Sequence, residues 1–385
     1  MSEAARLVDE ADRVASLRDF AEARRLLRQA AEIASDDASI WLKLAAMARA
    51  ARDYRAALAA TERALALGPF DFTALLMRAS LLDQLGDSRA GECYGQALAN
   101  RSPHLAVPEA MRAAIEHAET AYAAHVAARE QIMRTAMDTA ERAATPDEAE
   151  RIARFRSNAL RTTRVYHSEP THFHFPGLVE REFHPRSGFG WLAKIEAATD
   201  DIRAEFEAVA SAERAELVPY VQYASHEALR QWQPLNHNRD WTAIHLWRNG
   251  ERVEANARHC PRTMALLDQI DQPRIAGASP NAMFSLLAPG ISIPSHTGVN
   301  NSRLVCHLPL VVPDGCWFRV GAERRHWRVG EAFVFDDTIE HEAANPSTDL
   351  RVILIVDLWH PGLSLVERDA VTRLLEVETS GAGGL

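Results

Sequence analysis

The sequence has few cysteines and no apolar run long enough to cross a membrane. Its four cysteines are too few for a disulfide scaffold, and no two of them have the C-x-x-C spacing typical of a structural zinc site. No apolar run approaches the roughly 18 residues of a membrane span. The opening residues are acidic and polar, so no signal peptide is visible. These absences favour a soluble protein of the reducing cytoplasm.

The charge balance argues against one class of function. The chain has 43 Lys and Arg against 53 Asp and Glu, a net charge of −10, whereas nucleic-acid-binding proteins normally carry a basic excess. Hydrophobic residues make up 47% of the chain and charged residues 25%, as in ordinary globular proteins. The 385 residues leave room for two or three domains.

The first hundred residues repeat with a period of 34. Pro69 and Pro103 each follow a helical stretch and lie 34 residues apart. The same offset joins Asp19, Asp53 and Asp87, and we expect each aspartate to start the second helix of a pair. It also superposes small residues at positions where paired helices would approach closely: Ala23, Ala30, Ala45, Ala56, Ala57, Ala64, Ala79 and Ala90. The pattern resembles about three degenerate tetratricopeptide repeats over residues 4–103. An alanine-rich bundle with chance register is the alternative.

The helical pattern continues through residues 105–160, with Thr145-Pro146-Asp147-Glu148 as a helix end and restart. We therefore expect residues 1–160 to form an α-helical, tetratricopeptide-like solenoid, whose charged last helices cap it and link it to the second half. This region has no cluster of His, Cys or paired carboxylates. We expect it to be a scaffold or a binding surface rather than a reaction centre.

After Val165 the hydrophobic period changes from helical to alternating. Short segments between turn residues predict five strands: Met283–Leu287, Arg303–Val312, Cys316–Val320, Glu331–Phe335 and Leu350–Trp359. Helices are expected at residues 191–210 and 262–270, packed outside the sheets. Several short strands at this spacing are typical of a β-sandwich or barrel. The expected fold class is therefore α+β, in more than one domain.

Histidines and arginines at strand positions are the candidate site. Because side chains alternate along a strand, Arg303 and His307 share one face of an otherwise apolar strand. His341 and Arg351 lie across a loop, so a hairpin would hold them near one another. With His296, they suit a ferrous ion and a dicarboxylate co-substrate, because imidazole binds Fe(II) and an arginine fork binds a carboxylate.

One position counts against a standard iron oxygenase. The usual iron site has two histidines and a carboxylate, which typically stands two places after the first histidine. Here that place is Gly298, which has no donor atom.

Four motifs surround these residues: His296-Thr297-Gly298, His307-Leu308-Pro309-Leu310, Phe335–Glu342 and Asp357–Pro361. Together they resemble the aspartyl/asparaginyl β-hydroxylase family, over roughly residues 173–364. The resemblance implies an Fe(II)/2-oxoglutarate-dependent dioxygenase with a double-stranded β-helix (jelly-roll, cupin-like) catalytic domain over residues 165–378, before a flexible tail at 379–385. Better-known members carry glycine in place of the acidic ligand, so Gly298 agrees with the family. Repeats ahead of the domain also resemble the arrangement in the animal enzyme.

The resemblance implies roles for individual residues. His296 and His341 correspond to the catalytic iron ligands. Arg351, with Ser285 beside it, corresponds to the residue that pairs with the distal carboxylate of 2-oxoglutarate. His307 corresponds to a contact with the carboxylate near the metal. Dioxygen is the other co-substrate.

Two sets of residues depart from the motif or carry weaker predictions. The animal members have an arginine where Val305 stands, and Arg303 on the same predicted face is a candidate replacement. Four residues near the family-like region alternate with apolar neighbours and are candidates to line a substrate cleft, with packing or surface roles as the alternative: Trp241, His245, Trp247 and Arg248.

The predicted function is hydroxylation of an unactivated carbon, with the β-carbon of Asp or Asn in a peptide or protein as the first candidate. The concave surface of the repeats suits an extended chain. One alternative is a small-molecule or lipid acyl hydroxylase of the same family. The other is a non-catalytic adaptor with an inert barrel, against which both histidines and Arg351 argue. No nucleic-acid or membrane partner is expected.

Overall fold

The computed structural model describes residues 2–102, 108–212, 217–222 and 235–380. The chain divides into two compact units, residues 1–160 and 161–385, and each is described by itself. Within the described ranges, no helix combines the length and the apolarity needed to cross a membrane.

The first unit is helical, and its helices pack in consecutive pairs, α1 with α2, α3 with α4 and α5 with α6. The helix bounds are α1 (Glu3–Ser16), α2 (Phe20–Ile33), α3 (Ala38–Ala50), α4 (Tyr54–Leu67), α5 (Phe72–Gln84), α6 (Ala90–Ala99), α7 (Glu109–Ala143) and α8 (Pro146–Ala159). Three pairs, followed by the 35-residue α7 and by α8, confirm the predicted tetratricopeptide-like arrangement.

The 34-residue period is visible in the backbone as well as in the sequence. Asp19 and Asp53 cap α2 and α4, because each side chain accepts the backbone N–H three residues further on. Asp87 departs from this pattern, since α6 begins only at Ala90. The residue before each aspartate has a positive φ and ends the first helix of its pair: Arg18 (64°), Arg52 (59°) and Gly86 (68°).

The small residues of the repeats lie at helix contacts, as predicted. Seven of the superposed alanines are buried: Ala23, Ala30, Ala45, Ala57, Ala64, Ala79 and Ala90. Larger side chains at these positions would force the helices apart. Pro69 follows the end of α4 as predicted, whereas Pro103 lies outside the described residues.

The predicted helix break near residue 145 is confirmed. The Thr145 hydroxyl accepts the N–H of Glu148, and the Glu148 carboxylate accepts the N–H of Thr145 at 2.8 Å. This capping box satisfies two N–H groups at the start of α8, and Pro146 takes the first helical position, where it needs no hydrogen bond.

The second unit combines strands with short helices. Its strands are β1 (Phe183–His184), β2 (Leu217–Pro219), β3 (Trp241–Arg248), β4 (Glu251–Arg252), β5 (Ala282–Leu287), β6 (Ile291–His296), β7 (Arg303–Val311), β8 (Trp317–Val320), β9 (Glu323–His326), β10 (Phe333–Phe335), β11 (His341–Asn345) and β12 (Arg351–Trp359). Its helices are α9 (Leu192–Ala197), α10 (Thr199–Ala210), α11 (Glu254–Ala257), α12 (Pro261–Leu267) and α13 (Leu365–Thr379).

The strands form two antiparallel sheets. The larger sheet has the order β1-β10-β7-β12-β5-β3-β2, with β4 beside β3, and the smaller has the order β6-β11-β8-β9. From β5 to β12 the chain passes repeatedly between the two sheets. This strand order is that of a double-stranded β-helix, or jelly roll, and it confirms the predicted α+β fold class.

The two faces of β7 divide as the alternation predicts. Leu304, Cys306 and Leu308 pack under α9, α10 and α12 in one apolar cluster. Val305 faces the other way, toward the residues of the smaller sheet. The predicted helices therefore lie outside the larger sheet, and the space between the two sheets receives the opposite face of β7.

The predicted strands are present with ends shifted by at most two residues. The sequence predicts only β8 of the smaller sheet, because β6, β9 and β11 are short and their apolar residues are interrupted by polar residues or proline. The predicted tail begins inside a helix, since Thr379 is the last residue of α13 and its hydroxyl donates to the Ala276 carbonyl at 2.9 Å. Residues 381–385 lie outside the described residues.

The central strand β12 provides a stability test. Leu354 is fully buried, whereas Leu350, just before the strand, is 39% exposed. We expect Leu354→Ala to lower the free energy of unfolding by about 2–5 kcal/mol and Leu350→Ala to lower it far less. Urea unfolding followed by tryptophan fluorescence would measure both, since seven of the eight tryptophans lie in this unit. Equal losses would contradict the placement of Leu354 in the core.

Candidate active site

A cavity of about 700 Å³ lies between the two sheets. It brings together eight of the residues that the sequence singled out: Trp241, His245, Ser285, His296, Arg303, His307, His341 and Arg351. The fold thus brings side chains from six separate strands, β3, β5, β6, β7, β11 and β12, to one cavity.

Two histidines face each other across the smaller sheet. His296 ends β6 and His341 begins β11, and the two residues are direct partners in the antiparallel register. Their ring centroids are 3.9 Å apart. The Nδ1 atom of His296 lies 2.7 Å from the Pro294 carbonyl, and that of His341 lies 3.0 Å from the Ile339 carbonyl. Because a carbonyl only accepts, each Nδ1 donates and each Nε2 carries the lone pair.

Burial keeps both imidazoles neutral. Desolvation lowers the pKa of His341 to about 4, and it lowers the pKa of His296 well below its ordinary value, with His341 adding to the effect. A neutral imidazole held in one tautomer by a backbone carbonyl is the usual form of a metal-ligating histidine. No third His, Cys, Asp or Glu completes a metal-binding group in the described part of the chain, so an ion here would have two side-chain ligands.

Arg351 is a buried cation with no carboxylate partner among the described residues. Its side chain is 1% exposed, and its Nη1 atom lies 3.4 Å from the carbonyl and from the hydroxyl of Ser285. Its Nε atom has no hydrogen-bond partner among the described residues, and its guanidinium lies 4.9 Å from the ring centre of Trp327. Burial lowers the pKa of Arg351 to about 10. A buried charge without a counter-charge is costly in free energy, so an anionic ligand at Arg351 would be stabilising.

His307 lies deeper, among aromatic rings. Phe318, Phe333 and Phe335 surround it, with ring centroids 4.7–5.5 Å away. Its Nδ1 is buried and has no hydrogen-bond partner in the described ranges. Burial lowers its pKa well below the ordinary value, and Arg351 adds to this. His307 and Arg351 therefore both line the cavity, and each has a buried nitrogen without a hydrogen-bond partner among the described residues.

Arg303 differs from Arg351 because carboxylates already surround it. Its Nη2 lies 2.9 Å from Asp337 and its Nη1 lies 3.1 Å from Asp357. Burial alone would lower the pKa of Arg303, but the two carboxylates hold it above its ordinary value. The alternation along the strand correctly predicts that Arg303 faces the cavity. It does not predict that Arg303 pairs with Asp337 and Asp357. The neighbouring Asp336 has a different role: its carboxylate accepts the Thr338 N–H at 2.9 Å and caps the turn that precedes β11.

Gly298 is required by Asp337. A Cβ atom at Gly298 would lie 2.3 Å from Oδ2 of Asp337, and the Gly298 N–H donates to the Asp337 carbonyl at 2.7 Å. The Asp337 carboxylate thus occupies the space that a side chain at position 298 would need.

The weaker candidates on β3 divide between two places. The Trp241 indole stacks on Tyr220 at 3.8 Å between ring centroids and donates to the Ser285 hydroxyl at 3.0 Å, and both rings line the cavity. His245 also lines the cavity. Trp247 and Arg248 do not line it. A register shift between His245 and Trp247 breaks the alternation, so the Trp247 indole packs toward the helix-covered core and Arg248 is exposed at the strand end.

Comparison with known proteins supports the resemblance noted in the sequence. Residues 196–361 match the sequence model of the aspartyl/asparaginyl beta-hydroxylase family. The matched stretch includes both paired histidines and the two buried arginines. The second unit is therefore similar in sequence to the aspartyl/asparaginyl β-hydroxylase family over residues 196–361, and these residues lie in a jelly-roll fold.

Relatives with curated names agree with this class. The chain is 37% identical over 130 residues to the mouse protein named aspartyl/asparaginyl beta-hydroxylase, covering 34% of this chain and 17% of that protein. It is 32% identical over 208 residues to aspartate beta-hydroxylase domain-containing protein 2 of Xenopus tropicalis, covering 53% and 54%. It is 36% identical over 176 residues to the ornithine lipid ester-linked acyl 2-hydroxylase of Rhizobium tropici, covering 45% and 58%. The chain thus spans less than two thirds of each.

Solved structures similar to this chain include helical repeat domains. The TPR domain of Sgt2 from Aspergillus fumigatus covers 31% of this chain, with 79% of its own length, a TM-score of 0.28 and 20% identity.

The contact at Gly298 gives a test of the site's packing. We expect Gly298→Ala to displace Asp337 and to lower the free energy of unfolding by about 1–3 kcal/mol, as overpacking does. Gly190→Ala is the matched control, because a Cβ there meets nothing within 4 Å. Thermal unfolding would compare them. In an Asp337→Ala background the cost of Gly298→Ala should shrink, and an unchanged cost would show that Asp337 is not the obstacle.

Proposed function

We propose that the second unit is an Fe(II)- and 2-oxoglutarate-dependent dioxygenase that hydroxylates an unactivated carbon. The observation that carries this proposal is the presence, in one cavity, of two opposed neutral imidazoles and a buried arginine that has no carboxylate partner in the part of the chain that the structure describes. A metal would bind to the two imidazoles, and an anionic co-substrate would bind to the arginine.

The donor set fits ferrous iron. Imidazole nitrogen suits Fe(II), and non-haem iron oxygenases need open coordination positions for their co-substrates. His296 and His341 present lone pairs from adjacent strands, and their Nδ1–H bonds to backbone carbonyls fix the ring orientation. No carboxylate is available at Gly298, so more positions stay open than in a three-ligand site.

The far side of the cavity fits a dicarboxylate. Arg351 would receive the distal carboxylate of 2-oxoglutarate together with the Ser285 hydroxyl, since the two lie 3.4 Å apart. A carboxylate there would supply the anion that the buried guanidinium lacks and engage its unpartnered Nε. His307 is placed to donate to an oxygen of the same ligand.

The bound iron, with 2-oxoglutarate and dioxygen, supplies the oxidising power for inserting oxygen into a C–H bond. The chain's own residues bind and orient. His296 and His341 hold the metal on the smaller sheet, while Arg351 and Ser285 hold the co-substrate against the larger sheet. The apolar wall that includes Val305 and Ile353 excludes water from the reacting groups.

For the substrate, we propose first an Asp or Asn side chain of a peptide or protein, in line with the relatives named aspartate β-hydroxylases. The helical repeats of the first unit would present an extended surface to such a chain.

A second candidate is a lipid or small molecule without a carboxylate at its reacting end. The similarity to a lipid acyl hydroxylase favours it. So does the charge of the cavity, because Arg303 is already held by Asp337 and Asp357. Val305 adds an apolar wall beside that triad.

Co-substrate binding tests the proposal directly. We expect Arg351→Gln to weaken 2-oxoglutarate binding to the Mn(II)-loaded protein by a factor of about 30 or more, corresponding to at least about 2 kcal/mol, while Mn(II) binding persists. Calorimetric titration would measure both, with Arg373→Gln on exposed α13 as the control. His296→Ala and His341→Ala should instead abolish Mn(II) binding. A wild-type chain that binds neither ligand would support the inert adaptor.

Product analysis separates the two substrate classes. The Fe(II)-loaded chain would be incubated aerobically with 2-oxoglutarate and either Asp- and Asn-containing peptides or vesicles of an amino-acyl lipid, and succinate release and gain of one oxygen atom would be followed. We expect turnover with peptides, and with Asn at least as well as Asp, because Arg303 is neutralised. Oxygen gain by the lipid alone would establish the second candidate.

A further inference from the structure

The outer face of the smaller sheet carries a network directly behind the two histidines. Because side chains alternate, the sequence neighbours of the inward-facing histidines point outward. Those neighbours are Ser295 on β6, and Glu340 and Glu342 on either side of His341. All three bind the same side chain, Arg319 of β8, which lies opposite Glu342 in the sheet register.

Arg319 uses every nitrogen of its guanidinium. Nε donates to Glu342 at 2.7 Å, and Nη2 donates to Glu340 at 2.8 Å and to the Ser295 hydroxyl at 3.2 Å. Nη1 donates to the Gly321 carbonyl at 2.6 Å. The Ser295 hydroxyl in turn donates to Glu342 at 2.9 Å. One planar cation thus joins three strands, β6, β11 and β8.

The network is better shielded than an ordinary surface ion pair. The Arg319 side chain is 17% exposed, and its guanidinium lies 5.6 Å from the ring centre of Tyr166. Exposed ion pairs contribute little to stability. A partly buried arginine with several hydrogen bonds, in contrast, holds its partners in a fixed geometry.

The backbone ladder is irregular at the same place. The pairing of β11 with β6 shifts register between His341 and Ala343, so the regular ladder is interrupted directly beside the pair of histidines. Each ring is tied to its own backbone by the carbonyl two residues before it. The distance between the rings therefore depends on how β6 and β11 are held together at this bulge, which Arg319 spans.

We propose that Arg319 is a positioning residue that sets the separation of His296 and His341 for metal binding, with Glu342 and Ser295 as its anchors. The inference rests on the proposed function. It matters most in a site with two side-chain ligands, because there is no third side chain to compensate for a displaced ring.

Metal titration of the full chain tests the proposal without catalysis. Mn(II) affinity would be measured by electron paramagnetic resonance, and the visible spectrum of bound Co(II) would report ligand geometry. We expect Arg319→Met to weaken Mn(II) binding by about 10- to 100-fold, the range typical of groups that orient metal ligands, and to change the Co(II) spectrum. Arg319→Lys should recover part of the loss, since one ammonium reaches only some of the acceptors.

The matched control is Arg328→Met, because Arg328 pairs with Glu331 at 3.7 Å and is 75% exposed. Should Arg319→Met fail to fold, Glu342→Gln and its control Glu331→Gln decide the question, with several-fold weaker Mn(II) binding expected only for the first. Wild-type Mn(II) affinity and Co(II) spectrum in a folded Arg319→Met or Glu342→Gln variant would overturn the proposal. A wild-type chain that binds no Mn(II) would overturn the proposed function instead.

Discussion

The pairing of β6 with β11 is the constraint on which the rest of the site depends. It makes His296 and His341 direct neighbours although 45 positions separate them in the chain. A jelly roll achieves this because the second and seventh strands of its core lie side by side in the smaller sheet. Strands β5, β7 and β12 of the larger sheet lie opposite β6 and β11. This arrangement places Arg303 and Arg351 across the cavity from the two imidazoles.

Charge in the cavity is distributed unevenly between two buried arginines. Arg303 has two carboxylate partners, and Arg351 has none among the described residues. Arg351 is 1% exposed and the Arg303 side chain is 17% exposed, so each charge is at least partly desolvated by the fold. The difference is that Asp337 and Asp357 neutralise Arg303, whereas no carboxylate among the described residues neutralises Arg351. This asymmetry is the reason that we propose Arg351, and not Arg303, as the cation that binds a ligand.

Local patterns predicted more of the larger sheet than of the smaller one. The apolar runs of β7 and β12 predicted the bounds of both strands to within one residue, and alternation predicted the two faces of β7, because both strands are long and buried. Strand β6 contains Pro294 and two serines, which no pattern of burial marks as a strand. The 34-residue offset predicted the helix pairs because the same capping aspartates and small residues recur. It failed at Asp87, where a turn delays α6.

Contacts between distant residues could not be predicted from spacing. Asp337 and Asp357 lie 20 positions apart and meet only at Arg303. The steric role of Gly298 was equally hidden, since the sequence showed only a missing donor. In the structure, the Asp337 carboxylate that pairs with Arg303 occupies the space that a side chain at position 298 would need. A residue with a Cβ at 298 would expel the Asp337 carboxylate and leave Arg303 with Asp357 alone. The absence of a donor at position 298 and the pairing of Asp337 with Arg303 therefore depend on the same glycine.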